Sequence, residues 1–249
     1  MAQIGSPTSS HSGYAALKLG PHLSPLLARK FAKLNVEAIR AIQSRILLYA
    51  PQFLRSTESW MAELRDEGLT CWICVAPNAK TGRLSLEEGQ WVGMYQLHGP
   101  LSAAQYNFFD DESLMAECSK DENGGTTTRW TGGRLYVKSQ HRNVHTFMAL
   151  QQASTNFIRE TTKQLALSVL TPRELNKGVV TARVQVTAYY GTAAHQAHKA
   201  NDLRVLREVS RAQDLAYDGL LDAVPAGMLD DGDFTEPMGT LFEMVHFFQ

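Results

Sequence analysis

The sequence predicts an α/β protein, on three observations. Leu27, Phe31, Leu34, Ala38, Ile42, Ile46 and Leu47 recur at intervals of three and four within residues 24–49, the mark of an amphipathic helix. Residues 70–76 (TCWICVA), 90–97 (QWVGMYQL) and 179–190 (VVTARVQVTAYY) are short β-branched and aromatic runs of the kind that form strands. Residues 132–164 join the two kinds of element. Positions 134–137 have the bias of a strand, whereas Phe147, Leu150, Phe157 and Ile158 follow at helical spacing.

Taken in order, residues 1–20 are rich in Ser, Gly and Pro and read as a mobile tail, because they bury too little apolar surface to offset their ordering entropy. The first helix ends at Pro51. A second, residues 56–65, carries Trp60 and Leu64 on one side, with Ser56 or Thr57 as its N-cap. The runs 70–76 and 90–97 are joined by a polar, glycine-containing loop and read as an antiparallel pair. Residues 99–133 hold an apolar patch at 106–109, the acidic run Asp110, Asp111 and Glu112, and the stretch DENGGTTT, and read as an insertion. After the central helix, 172–178 is a turn-rich link. Residues 203–209 then read as a strand, 212–223 as a helix and 238–248 as a closing strand.

Composition narrows the function classes. The 249 residues suffice for a sizeable core in one domain. With 24 Lys and Arg against 25 Asp and Glu, a formal charge of −1, the chain lacks the electrostatic footprint of a nucleic-acid or anionic-membrane binder, so a small-molecule partner is expected. Cys71, Cys74 and Cys118 are too few for a secreted disulfide scaffold. No apolar run reaches the length of a membrane span, and the expected location is cytoplasmic. Cys71 and Cys74 have CxxC spacing, but within an apolar strand, where core packing is the expected role.

The joint between the central strand and its helix is residues 138–145. Such a turn aims the N–H groups of the first helical turn at one point, where peptide dipoles also favour negative charge, and this suits a phosphate. The stretch SQHRNVHTFMAL resembles the signature of the GNAT acetyltransferase superfamily, Gln/Arg-x-x-Gly-x-Gly/Ala after the central strand. Gln140 and Arg142 fit it, and Asn143 and His145 stand where its two glycines would be.

The resemblance implies a GNAT-type fold. Its mixed, mostly antiparallel central sheet would be flanked by helices and splayed between the strands containing 135–137 and 184–189, in one domain over 21–249. It also implies acetyl-CoA in the resulting gap. The N–H groups of Leu135, Tyr136 and Val137 would polarise the thioester carbonyl, and Gln140, His141, Arg142, Asn143, Val144, His145 and Thr146 would hold the pyrophosphate. GTAAHQAHKANDL fits the family's Asn-x-x-Ala-x-x-x-Tyr helix, with Thr192 at the Asn position and His198 at or near the tyrosine that protonates the departing thiolate. Tyr189 and Tyr190 are nearby substitutes. The activity implied is acyl transfer from coenzyme A to an amine of a small molecule.

Histidines suggest a competing chemistry. His141 and His145 have HxxxH spacing, and His195 and His198 have HxxH spacing. No acidic residue within either pair completes a zinc motif, so no metal is expected. A GNAT scaffold diverted from acetylation would use His145 and His198 for proton transfer in a coenzyme A-independent cyclisation or decarboxylation, since imidazole titrates near neutral pH.

Overall fold

The computed structural model describes residues 13–42, 56–106, 126–169, 180–200, 203–217, 227 and 232–248. Pro51, the acidic run 110–112 and the link 172–178 lie outside these. The chain divides into two compact units, Met1–Leu97 with Arg134–Asn156 and His98–Gly133 with Phe157–Gln249.

The first unit is built on helix α1 (Pro25–Ile42) and helix α2 (Thr57–Glu63). The helical period of α1 places Leu27, Phe31, Leu34 and Ala38 on one buried face. Phe31, with no exposed surface, meets Trp60 of α2 edge-on at 6.5 Å. Burial of an aromatic or Leu side chain of this kind contributes about 1.5–3 kcal/mol. The Ser56 side chain accepts the Ser59 N–H at 3.2 Å and caps α2, the expected start of that helix.

Strands β2 (Leu69–Ala76) and β3 (Gln90–His98) bury nearly every residue, which is why they read as continuous apolar runs without alternation. Gly93 of β3 is required by sterics, because a Cβ there would lie 2.7 Å from the carbonyl oxygen of Tyr136. One expectation is corrected in this unit. Ala15–Lys18, assigned to the mobile tail, forms strand β1, antiparallel to β2 from Ala15↔Val75 to Lys18↔Trp72. The polar flanks outweigh a four-residue strand in any composition window, and its backbone pairing with β2 supplies what composition cannot show.

In the second unit, helix α3 (Ala103–Tyr106) precedes the central strand β4 (Thr126–Val137). β4 begins well before residue 134, so residues 126–133, expected in the insertion, are its first part. They pair in parallel with β5 (Val180–Tyr189), from Thr126↔Val180 to Gly132↔Val186. The long helix α4 (Val144–Val169) packs Phe157 edge-on against Trp130, whose Nε1 donates to Thr128 Oγ1 at 2.9 Å. Thr128 Oγ1 in turn shares a 2.6 Å hydrogen bond with Thr162.

Helix α5 (Ala193–Ala200), strand β6 (Arg204–Ser210), helix α6 (Arg211–Tyr217) and helix α7 (Gly232–Thr235) lead to the closing strand β7 (Pro237–Phe248). β7 is antiparallel to both β5 and β6 and lies between them. It carries one buried acid. The Glu243 side chain is fully buried, accepts from the Tyr106 hydroxyl at 2.6 Å, and faces Arg183 at 3.4 Å and Arg204 at 3.7 Å. Opposite charge and a hydroxyl donor offset the cost of removing this carboxylate from water.

The strands order as β1-β2-β3-β4-β5-β7-β6, a mixed α/β sheet with its parallel pair at β4 and β5, flanked by helices. β4 and α4 each contribute residues to both units.

Candidate active site

The candidate residues of the first unit lie at the end of β4. Gly132 is the last residue of β4 in register with β5, although β4 runs on to Val137 and β5 to Tyr189. Arg134 then takes φ +46°, a left-handed conformation that redirects the strand. Lys138 leaves the strand with its N–H on the Val92 carbonyl at 2.8 Å. Ser139–His141 forms one 3-10 turn, and α4 starts at Val144.

Asn143 decides what this turn offers. Its Oδ1 accepts the N–H groups of His145 at 3.0 Å and Thr146 at 3.1 Å, making it the N-cap of α4. Thr146 is buried and locks the turn, donating its hydroxyl to the His141 carbonyl at 2.7 Å. Two of the N–H groups that the sequence reading assigns to a phosphate are therefore held by a side-chain oxygen of the chain itself. Those of Ser139 and Gln140 meet no acceptor among the described residues. The His145 side chain is exposed, so the group that meets these two N–H groups is the Asn143 carboxamide and not the imidazole. Arg142 donates Nε to the Val137 carbonyl at 2.9 Å, which fixes its guanidinium at the end of β4. His141 Nδ1 lies 3.1 Å from the Tyr14 hydroxyl. His141 belongs to the 3-10 turn and His145 to α4, so the HxxxH pair does not share a helix face.

On the α1 side of the turn is a cleft of about 370 Å³, lined by Glu37, Arg40, Tyr136, Lys138, Ser139 and Gln140. Lys138 Nζ is 2.8 Å from Glu37 Oε2, with both side chains roughly three-quarters buried. Burial, and secondarily the Glu37 carboxylate, raise the Tyr136 phenol above its ordinary pKa, so it keeps its proton. Sequence reasoning missed Glu37 and Arg40. Their only signal is an i, i+3 spacing on a polar helix stripe, which reads equally as a solvated face.

In the second unit, α5 presents His195 and His198 to β7. His195 is buried, its Nε2 3.2 Å from Thr240 Oγ1, with Tyr190 edge-on at 5.1 Å and Phe242 at 5.6 Å. His198 packs on the same Phe242 at 5.3 Å. Burial, then the neighbouring His195, lower the His198 pKa, so its ring is neutral at pH 7 and suits accepting a proton better than donating one. Tyr190 is 42% exposed, and its hydroxyl donates to Glu208 Oε1 at 2.5 Å. That hydrogen bond raises the phenol pKa and keeps the proton on it. Of the three proton-transfer candidates, the structure brings His198 and Tyr190 together around His195, while His145 belongs to the other unit.

Cys71 and Cys74, three apart on β2, are both buried free thiols. Among the described residues no group of three or more His, Cys, Asp or Glu is arranged to hold a metal. No helix among them is long and apolar enough to cross a membrane.

No family model matches the chain, and no curated protein matches it. Solved structures do. A candidate acetyltransferase of Acinetobacter baylyi superimposes with a TM-score of 0.50 at 13% identity, over 94% of this chain and 93% of its own. NAA60 of Arabidopsis thaliana in complex with acetyl-CoA gives 0.47 at 13%, over 94% and 98%. A candidate acetyltransferase of the GNAT family from Chromobacterium violaceum gives 0.43 at 10%, over 98% and 91%. The chain has the GNAT acetyltransferase fold.

Proposed function

We propose that the protein is an acyltransferase that moves an acetyl group from acetyl-CoA to an amine of a small molecule in the cytoplasm. The observation that carries this reading is the end of the β4 and β5 ladder at Gly132↔Val186, followed at once by the redirected end of β4 and the capped start of α4. This places backbone N–H groups, a 3-10 turn and a helix N-terminus in succession along fewer than twenty residues, the set of donors that a thioester carbonyl and a pyrophosphate need.

Bound acetyl-CoA would supply an activated thioester. The nitrogen–carbon bond forms as the carbon–sulfur bond breaks, one proton leaves the amine and one is gained by the thiolate. The turn from Gln140 to Thr146 would hold the pyrophosphate, with Ser139 and Gln140 N–H groups as ready donors and those of His145 and Thr146 released when the Asn143 side chain rotates. Arg142, tethered to Val137, adds positive charge. Leu135, Tyr136 and Val137 would orient the thioester. In this reading neutral His198 is the candidate proton acceptor and Tyr190 the candidate proton donor, each in the protonation state that its surroundings favour.

The test is a thermal-shift titration with acetyl-CoA. A ligand at 100 times its dissociation constant stabilises a protein by about 2.7 kcal/mol. Absence of any shift, together with no release of free thiol in the presence of amines, would refute the proposal.

A second reading is favoured by the Asn143 cap, since a turn that satisfies its own N–H groups does not require an anion. The fold would then serve a coenzyme A-independent proton-transfer reaction at His195 and His198. His198→Ala abolishing an activity on substrate alone, in a protein indifferent to acetyl-CoA, is the result that would select it.

A further inference from the structure

Tyr14 lies in a stretch whose composition reads as a tail, yet its place is fixed. Gly13 takes φ +82°, a left-handed conformation that suits glycine, and turns the chain just before it. The next two residues, Ala15 and Ala16, are buried and paired with Val75 and Cys74 of β2. Beyond the other end of β1, the Leu19 N–H donates to the Cys71 carbonyl at 2.8 Å and the Leu19 side chain is buried. An anchored strand therefore delivers the Tyr14 ring, and a contact made by that ring costs only side-chain order.

The contact is with His141. The Tyr14 hydroxyl lies 3.1 Å from Nδ1, and the two rings meet edge-on at 5.9 Å, across 127 residues of sequence. His141 is where the turn closes. Its N–H donates to the Lys138 carbonyl at 2.8 Å and its carbonyl accepts the Thr146 hydroxyl at 2.7 Å, so its backbone links the 3-10 turn to the first turn of α4. A single 3-10 turn has poorer hydrogen-bond geometry than an α-helix, and this one buries none of its three residues and has no side-chain cap. Packing therefore does not hold it. Its start is fixed at Lys138, by the Val92 carbonyl and by Glu37, and its end by Tyr14.

We propose that Tyr14 is a positioning residue for the cofactor, with β1 acting as a strap whose leading side chain sets where the Ser139 and Gln140 N–H groups point. The proposal rests on the acyl-transfer reading, in which those groups hold the pyrophosphate, and adds to that site a residue remote in sequence. Donors aimed in advance bind an anion without a further ordering cost. Tyr14 itself transfers no proton and forms no bond.

The experiment compares the wild-type protein with Tyr14→Phe, which keeps the ring contact and removes the hydroxyl. Calorimetry should show acetyl-CoA bound about fivefold more weakly, the worth of one neutral hydrogen bond. Amide exchange in the ligand-free proteins should show the His141 N–H opening about fivefold more often, with the amides of β2 changed less than about twofold. In a His141→Phe background, which has no nitrogen to meet the hydroxyl, Tyr14→Phe should alter the affinity for acetyl-CoA less than about twofold. The proposal requires both the weaker binding and the faster exchange. Weaker binding alone would mean that the hydroxyl meets the cofactor directly, faster exchange alone that the strap does not serve the cofactor, and a lower urea midpoint with neither that the contact is structural only. Each of these overturns it. If the wild type does not bind acetyl-CoA, the acyl-transfer reading falls together with the cofactor role, and exchange at His141 decides separately whether Tyr14 holds the turn.

Discussion

Arg134, held at φ +46°, lies with its guanidinium 2.5 Å from the Glu63 carboxylate and over the Trp60 ring at 5.7 Å. A non-glycine residue in the left-handed region costs on the order of 1–2 kcal/mol, so the pair holds β4 in a shape that its backbone alone would not choose. Both side chains are about four-fifths buried, which strengthens their attraction relative to a surface pair. Gln96 Nε2 adds a longer contact to the same Glu63 oxygen at 3.4 Å.

Glu63→Gln is accordingly expected to destabilise the protein by about 1–3 kcal/mol, the cost of leaving a partly buried cation without its counter-ion. Arg134→Gly should be costly in the wild type and cheaper by about 1 kcal/mol or more in the Glu63→Gln background, because the glycine then only relieves backbone strain. Urea denaturation of the four proteins measures the coupling. Strict additivity would show that the pair does not hold the strand.

Asn143→Gly should cost only a few tenths of a kcal/mol in stability, since glycine is nearly as good an N-cap as asparagine. By removing the oxygen that occupies the His145 and Thr146 N–H groups, it should tighten acetyl-CoA several-fold, where about 1.4 kcal/mol is a factor of ten. Asn143→Asp retains the cap but adds a negative charge, and should weaken binding. Isothermal titration calorimetry reads both. Equal affinities across the three proteins would remove Asn143 from the phosphate position.

Stability should fall as the solution is acidified below pH 6.5. His198 is lowered by burial and then by His195, and His246 by burial and then by Arg159, so in this range the unfolded chain binds protons that the folded one refuses. Stability thus rises with pH through the window between the folded pKa values and 6.5. Asp214 acts in the opposite sense, its carboxyl being raised by burial, so the comparison must be between variants. His198→Gln and His246→Gln should each flatten the dependence of the urea midpoint on pH from 7.5 to 5.5, and an unchanged slope would refute the assignment.

Cys71 and Cys74 should resist thiol reagents in the native protein. Burial pushes the Cys74 thiol up to about 12 and raises Cys71 further, leaving almost no thiolate at pH 8. Their labelling by a disulfide reagent should follow the kinetics of unfolding. Rapid modification of either thiol in the folded state would contradict the burial of β2.

The sequence alone determined the α/β class, the positions of α1, β2, β3 and β5, and the turn from β4 into α4. In each, the period of the apolar residues or the cap chemistry is a local property of the chain, visible at residues such as Phe31, Ser56 and Phe157. β1 and the first part of β4 escaped because their stability comes from pairing with β2 and β5, residues remote in sequence. The placement of β7 between β5 and β6 likewise depends on which edge remains open once the other strands have paired. At the candidate site, the sequence shows Gln140 and Arg142 at positions that resemble a motif and Asn143 where that motif has a glycine, but it does not show what the turn offers. Whether an N–H group is available to a ligand depends on where the Asn143 carboxamide points, and whether Glu37 and Arg40 line a cleft depends on what lies across from that face of α1. Spacing fixes the face of an element that a side chain occupies, and only the packed tertiary structure fixes what that side chain meets.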